Sequence, residues 1–312
     1  DLGCIVIKES LKRSGLKGED LDELYYGMCD QAEAALYDNV NGRQALLRAG
    51  LPQDLVSLTI DRACCSSLAA VHLGRRAILV GEADTCMAVG AENMSNTPLL
   101  INGHRWGSGM TPLLVQDYLN PITYREYSPL GKDAGEIAIE YGISREEQDQ
   151  WALGSQQKWG EADKAGKFKD ELVPVEVPQK RGDPIIFDRD EFPKPNTTLE
   201  GLAKLKTIYG SPTVTAGNAP GLDAGAAAVI IMRRSEAEEK GVKPLATIVS
   251  VASGASEPRR MAELPGFVIQ KALKRADLSI DDMKVVEINE AFAAVTLVSA
   301  KILAGGDETK WR

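Results

Sequence analysis

Residues 55–74 read LVSLTIDRACCSSLAAVHLG: an apolar run from Leu55 to Ile60, a polar break at Asp61-Arg62, then two adjacent cysteines. Beyond the cysteines, Leu68, Val71, His72 and Ala77 recur at helical spacing. A short β-branched apolar run predicts a buried strand, and the 3–4 residue spacing predicts a helix. Cys64 and Cys65 therefore fall at a sharp strand-to-helix turn. A thiol at the first turn of a helix faces unpaired backbone N–H groups and the positive end of the dipole, which favour thiolate and lower the pKa. Such a thiolate is a nucleophile. The competing reading is core packing, because free cysteine is among the most buried residue types; the position at a strand end favours the nucleophile.

Upstream, Leu2, Ile5, Ile7 and Leu11 share a helical period that Gly15 and Gly18 end, and Leu21–Met28 steps from helix to strand. Asn41–Ala49 reads as a helix. Thr85–Val89 is a compact strand running into Gly90-Ala91-Glu92-Asn93-Met94-Ser95-Asn96. The α-β-α-β-α-β order predicts an α/β fold with a mostly parallel sheet, helices on its faces and reactive groups at the carboxyl ends of strands.

From Asn96 to Tyr209 the prolines 98, 112, 121, 129, 174, 178, 184, 193 and 195 break the chain into short runs, which reads as an insertion. Its clearest helix begins at Ser144, where Ser-Arg-Glu-Glu forms a capping box, with Trp151 and Trp159 as packing anchors. Gln179-Lys180-Arg181-Gly182-Asp183 is a basic cluster at a turn, either simply solvated or a phosphate contact. Thr213–Gly221 is a glycine-punctuated loop ahead of a strand at Ala226–Met232. A helix from Ser235, a strand at Leu245–Val251, a helix at Phe267–Ala276 and a strand at Lys284–Ile288 follow. A last helix to Ala304 would then place Asn289 and Glu290 at a strand end and helix start, the kind of position Cys64 holds.

The 312 residues, 44% hydrophobic and 26% charged, are enough for two domains. A net charge of -9 excludes nucleic acid as a main partner, since that needs a clustered basic face. Five cysteines without a CxxC pair and two histidines without ligand spacing give no metal site. Reduced thiols fit a cytoplasmic enzyme. No apolar run reads as long enough to span a membrane and no signal peptide opens the chain. The start, inside a helix and without Met, reads as an incomplete N-terminus.

Five segments in order resemble the thiolase family over nearly the whole chain: 61–67 (DRACCSS), 91–95 (AENMS), 177–183 (VPQKRGD), 215–219 (TAGNA) and 289–293 (NEAFA). The resemblance implies a five-layer αβαβα fold of two similar α/β halves with an inserted loop domain. The expected boundaries are 1–95 and 213–240 for the first half, 96–212 for the insertion, and 241–312 for an incomplete second half. It implies an acyl-CoA C-acyltransferase of fatty acid metabolism and β-oxidation, working through an acyl-cysteine on 3-ketoacyl-CoA or acyl-CoA. Coenzyme A is then a substrate, with no permanently bound cofactor, and the protein a homodimer or homotetramer. Cys64 matches the family nucleophile and Cys65 a usual Gly or Ala. Asn289 matches the residue that holds an oxyanion-hole water. Lys180 and Arg181 match the region contacting the CoA phosphates, with Ala219 and Gly221 along the pantetheine.

Departures from the family pattern accompany these matches. The Gly-His-Pro and Cys-Gly-x-Gly acid/base motifs are absent from the 312 residues, and neither His72 nor His104 takes that role; truncation at both ends accounts for this. Pro220 replaces a common Ser, Pro129-Leu130-Gly131 a common His-Met-Gly, and Asp61 a usual Asn. These changes point to a longer or bulkier 3-ketoacyl group than acetoacetyl. A non-catalytic thiolase-like acyl-CoA-binding or assembly subunit and a ketoacyl-synthase-type condensing enzyme stay open as alternatives.

Overall fold

The computed structural model describes residues 1–34, 39–101, 103–107, 109–119 and 128–311; Pro121 of the proline series and Arg312 lie outside the described residues. In chain order the elements are α1 (Leu2–Ser14), β1 (Glu23–Gly27), α2 (Asn41–Ala49), β2 (Val56–Ile60), α3 (Ser66–Val80), β3 (Thr85–Asn93), β4 (Leu99–Ile101) and β5 (Val115–Asp117). They continue with α4 (Leu130–Glu140), α5 (Arg145–Lys164), β6 (Val175–Val177), β7 (Ile185–Phe187), α6 (Leu199–Ala203), β8 (Ala224–Met232), α7 (Arg234–Glu239), α8 (Leu264–Arg275), α9 (Ala293–Leu303) and α10 (Glu308–Trp311). The chain divides into two compact units.

The first unit comprises 1–119, 173–188 and 222–248. Its sheet has the order β2-β1-β3-β8, with β1 parallel to β2 and β3, and β8 antiparallel to β3. The parallel pairs follow from helical crossovers, β1-α2-β2 and β2-α3-β3. Side chains alternate across the sheet: Leu24, Tyr26, Met87 and Val89 bury against Ile7 of α1 and Leu46 of α2, while Tyr25 and Cys86 face Ala77 on the other side. Each large side chain so buried contributes about 1.5–3 kcal/mol. Gly15, at φ 74, closes α1 with its N–H on the Leu11 carbonyl, as a left-handed C-cap does.

Two expectations for the opening stretch change. Among the described residues the 55–60 strand is an edge strand, paired only with β1, and Val56 is 60% and Leu58 49% exposed rather than buried. The helix after it buries Ser66, Ala69, Ala70, Gly74 and Ala77, while Leu68 is exposed. Small residues face the sheet because α3 packs close: a Cβ on Gly74 would lie 3.2 Å from Cys86 Cβ. The stretch Ala63–Val80 is also long and apolar enough to cross a membrane by length and composition, contrary to the sequence reading; its small-residue face instead lies against the sheet.

The second unit comprises 120–172, 189–221 and 249–312. Helix α9 is buried continuously from Ala293 to Ser299 and anchors a core with Ile137, Ile143, Val214 and Phe292. The capping box of α5 forms as its sequence prescribes: Glu147 N–H donates to Ser144 Oγ at 3.1 Å, and Ser144 N–H to Glu147 Oε2 at 2.8 Å. The strands expected at 245–251 and 284–288 do not form. Both stretches are rich in apolar residues, yet among the described residues neither joins a ladder, and Leu245 and Val285 stand in solvent. Asn289 therefore follows irregular backbone, and α9 starts with Phe292 as its N-cap.

Candidate active site

In the first unit the turn between β2 and α3 is held by hydrogen bonds among its own residues, from both backbone and side chains. Ala63 N–H donates to Asp61 Oδ1 at 2.9 Å, Cys65 N–H to the Arg62 carbonyl at 3.3 Å and Ser66 N–H to the Ala63 carbonyl at 3.0 Å. Asp61 thus supplies the acceptor that an Asn carbonyl could also supply. Ala63 is held at φ 48, a left-handed conformation that costs an L-residue energy and persists where surroundings over-determine it. The turn presses on the sheet: a Cβ on Gly27 would lie 2.5 Å from the backbone of Ser66 and Ser67, and one on Gly90 2.1 Å from Ser67 Oγ. Glycine at the end of β1 and within β3 is what admits the helix.

Cys64 lines a cavity of about 330 Å³ together with Gly27, Met28, Gly90, Glu92 and Ala226. Both Cys64 and Cys65 are free and exposed as residues. Cys65 Sγ turns back to the Arg62 carbonyl at 3.0 Å, so of the two thiols only Cys64 lines the cavity. The thiolate-favouring setting expected from the helix start is outweighed. Burial pushes the Cys64 thiol up, with Cys65 and Glu92 adding to the rise, although its backbone N–H pulls the other way. At neutral pH this thiol needs a base to become a nucleophile.

The neighbouring wall is set by Glu92, a residue of the 91–95 motif to which sequence reasoning gave no role. Its carboxylate accepts the N–H groups of Cys29 at 2.7 Å and Asp30 at 2.8 Å, fixing the loop after β1. Cys29 is pushed up to about 12 by burial, with the Glu92 carboxylate adding to it, and stays a thiol. Lys180 and Arg181 are exposed in the turn between β6 and β7.

In the second unit the 215–219 and 289–293 motifs meet directly. Ala293 N–H donates to the Asn218 carbonyl at 3.0 Å. Asn218, 3% exposed, accepts Thr215 N–H at 2.8 Å and donates to Asp149 Oδ1 at 2.9 Å and the Thr213 carbonyl at 3.2 Å. Asp149 is neutralised by Arg145 at 2.7 Å. Asn289 is exposed; next to it, Glu290 accepts Trp151 Nε1–H at 2.8 Å and Ser155 Oγ–H at 2.7 Å. Trp151 is therefore more than the packing anchor its sequence suggests. Ala219 packs on the helical core, and Gly221 lies under Phe192, whose ring a Cβ would meet at 2.3 Å. Among the described residues no His, Cys, Asp and Glu group is arranged to hold a metal ion.

An α/β sheet that offers a cysteine at a strand-to-helix turn, at the edge of a cavity, defines a class of fold suited to acyl transfer through a thioester. Residues 1–235 match the family signature described as Thiolase, N-terminal domain, and residues 242–310 that described as Thiolase, C-terminal domain. The acetyl-CoA acetyltransferase of Chromobacterium violaceum is 44% identical over 99% of this chain and 79% of its own length. The beta-ketoadipyl-CoA thiolase of Acinetobacter baylyi is 39% identical over 99% and 79% respectively. The crystal structure of the Bacillus anthracis acetyl-CoA acetyltransferase superposes with a TM-score of 0.91 at 34% identity, covering 99% of this chain and 78% of that one. The chain belongs to the thiolase family and has the thiolase fold. It is an acyl-CoA C-acyltransferase, for which coenzyme A is a substrate rather than a resident cofactor.

Proposed function

We propose that the protein catalyses reversible thiolysis of a 3-ketoacyl-CoA, with Cys64 as the acyl carrier. The observation that carries this is the Cys64 thiol at the wall of the cavity. Once a base has taken its proton, the Cys64 sulfur adds to the C3 carbonyl. The C2–C3 bond then breaks, its electron pair leaving as the enolate of acetyl-CoA, which takes a proton; the acyl group stays on Cys64 as a thioester. The thiolate of a second coenzyme A attacks that thioester and expels Cys64. In the opposite direction the same steps form the carbon–carbon bond.

In this reading Asn289 holds the water that donates to the developing oxyanion, a preorganised donor of the kind whose loss costs about 3 kcal/mol in turnover. Lys180 and Arg181 take the CoA phosphates, and Ala219 and Gly221 flank the pantetheine, where Pro220 offers no N–H. The acyl pocket takes a longer or bulkier group than acetoacetyl, and the enzyme works in the cytoplasm as a homo-oligomer in fatty acid degradation. The proton transfers at Cys64 and at the enolate need a general base and a general acid.

Incubation with acetyl-CoA followed by peptide mass spectrometry tests the central step. Acetyl on Cys64, absent from a Cys64→Ala protein, is the expected result; acetyl confined to Cys65 or to no cysteine overturns it.

A further inference from the structure

The Ser66 side chain is 3% exposed at the wall of the cavity that Cys64 lines, and its hydroxyl is spent on the turn that carries Cys64. Its Oγ accepts Arg62 N–H at 2.8 Å and donates to the Ala63 carbonyl at 2.6 Å. These two groups bracket Ala63, the residue held at φ 48 immediately before Cys64. We propose that Ser66 is a positioning residue: its hydroxyl locks the 62–66 turn in the left-handed conformation at Ala63 that presents Cys64 to the cavity. The inference rests on the reading of Cys64 as the acyl carrier.

The surroundings say which way the turn would give without that hydroxyl. On the sheet side there is no room, since Gly27 and Gly90 already meet the backbone of Ser66 and the side chain of Ser67. On the other side Asp61 to Cys65 are exposed. Without the hydroxyl, Arg62 N–H loses its acceptor and Ala63 has one fewer bond opposing its return to a negative φ. The start of α3 would stay seated while Ala63 relaxed outward, carrying the Cys64 sulfur away from the cavity wall. A serine that only filled space or capped a helix would not couple to the φ of Ala63, and this gives the proposal its test.

Ser66→Ala, Ser66→Thr and the double variant Ser66→Ala/Ala63→Gly are compared with the unmodified protein. Two rates are read at Cys64 by tandem mass spectrometry: acetyl capture from acetyl-CoA, and alkylation by iodoacetamide, a small reagent that needs no oriented approach. Circular dichroism confirms that each variant is folded. Ser66→Ala is expected to lower capture about tenfold, the scale of one net hydrogen bond, while alkylation quickens as the sulfur moves into water. Ser66→Thr keeps the hydroxyl and the wild-type rates. Ala63→Gly restores both rates in the Ser66→Ala background, because glycine adopts φ near +50° at no steric cost. Unchanged rates in Ser66→Ala, or changes that neither threonine nor the glycine repairs, overturn the proposal. Alkylation of unmodified Cys64 without any acetyl capture sinks the acyl-carrier reading instead, and the alkylation rates still decide the role of Ser66.

Discussion

Single residues here depart from their intrinsic chemistry in the direction their surroundings dictate. Cys64 is the clearest case: dipole and N–H arguments favour thiolate, but desolvation is the larger effect and raises the pKa. Glu33 shows the same physics on a carboxyl group. Burial pushes it up to about 7, with Glu92 and Asp30 repelling its charge while Asn93 N–H partly opposes the rise. The folded protein therefore holds this proton to higher pH than the unfolded chain, whose value is near 4.5. Stability from this group is fully present below the unfolded pKa and is lost as pH rises through the folded one. Glu33→Gln removes the dependence, and its amide oxygen can still accept Asn93 N–H. Its melting temperature relative to wild type should rise between pH 4.5 and 7, the gain reaching about 1 kcal/mol for a half-exposed group. Melts at pH 5 and pH 8 decide it; an equal difference at both would show that Glu33 ionises normally.

At the scale of elements, what was legible in the sequence is what local patterning controls. The helix closed by Gly15, the capping box at Ser144 and the strand–turn–helix at Cys64 all form where the residues put them. Partnership was not legible. Nothing in Leu55–Ile60 tells an edge strand from a central one, and 245–251 and 284–288 have strand composition without a ladder to join. The same limit hid Glu92, Ser66, Trp151 and Ser155, whose roles come from groups distant in the chain or from the exact turn geometry. Asn218 illustrates how a motif residue becomes a joint between elements, linking Asp149 of α5, the Thr213–Thr215 loop and the start of α9. Asn218→Ala leaves Thr215 N–H and the Thr213 carbonyl buried and unpaired and removes a donor from Asp149. A loss of about 3 kcal/mol follows from those orphaned groups. Urea unfolding followed by tryptophan fluorescence measures it, and a cost under about 0.5 kcal/mol, the level of a surface change, would mean that the network is dispensable.

For the whole molecule, charge and pocket chemistry argue separately about substrate. A net charge of -9 repels a polyphosphate, so productive binding of a CoA ester needs a local reversal of sign. Lys180-Arg181, exposed in the turn between β6 and β7, is the proposed reversal. Reversing both to Glu should raise KM for CoA esters about tenfold with kcat little changed, and the effect should shrink in high salt, as expected of exposed charges. A fall in kcat alone would point to chemistry rather than phosphate binding. For the acyl end the proposal rests on departures from the family pattern rather than on charge. Cys65 puts a thiol where the resemblance implies a smaller side chain, and Pro129-Leu130-Gly131 sets an apolar segment at the start of α4. Discrimination by an apolar pocket is worth about 1–3 kcal/mol per methylene, enough for a 10–200-fold preference. Thiolysis of acetoacetyl-CoA is therefore expected to be slower, in kcat/KM, than that of longer or aromatic 3-ketoacyl-CoA esters by at least about tenfold. Because kcat/KM compares transition states, the comparison cancels whatever slows both substrates alike at the same limiting step, and a preference for acetoacetyl-CoA would show that these departures from the family pattern do not widen acyl specificity.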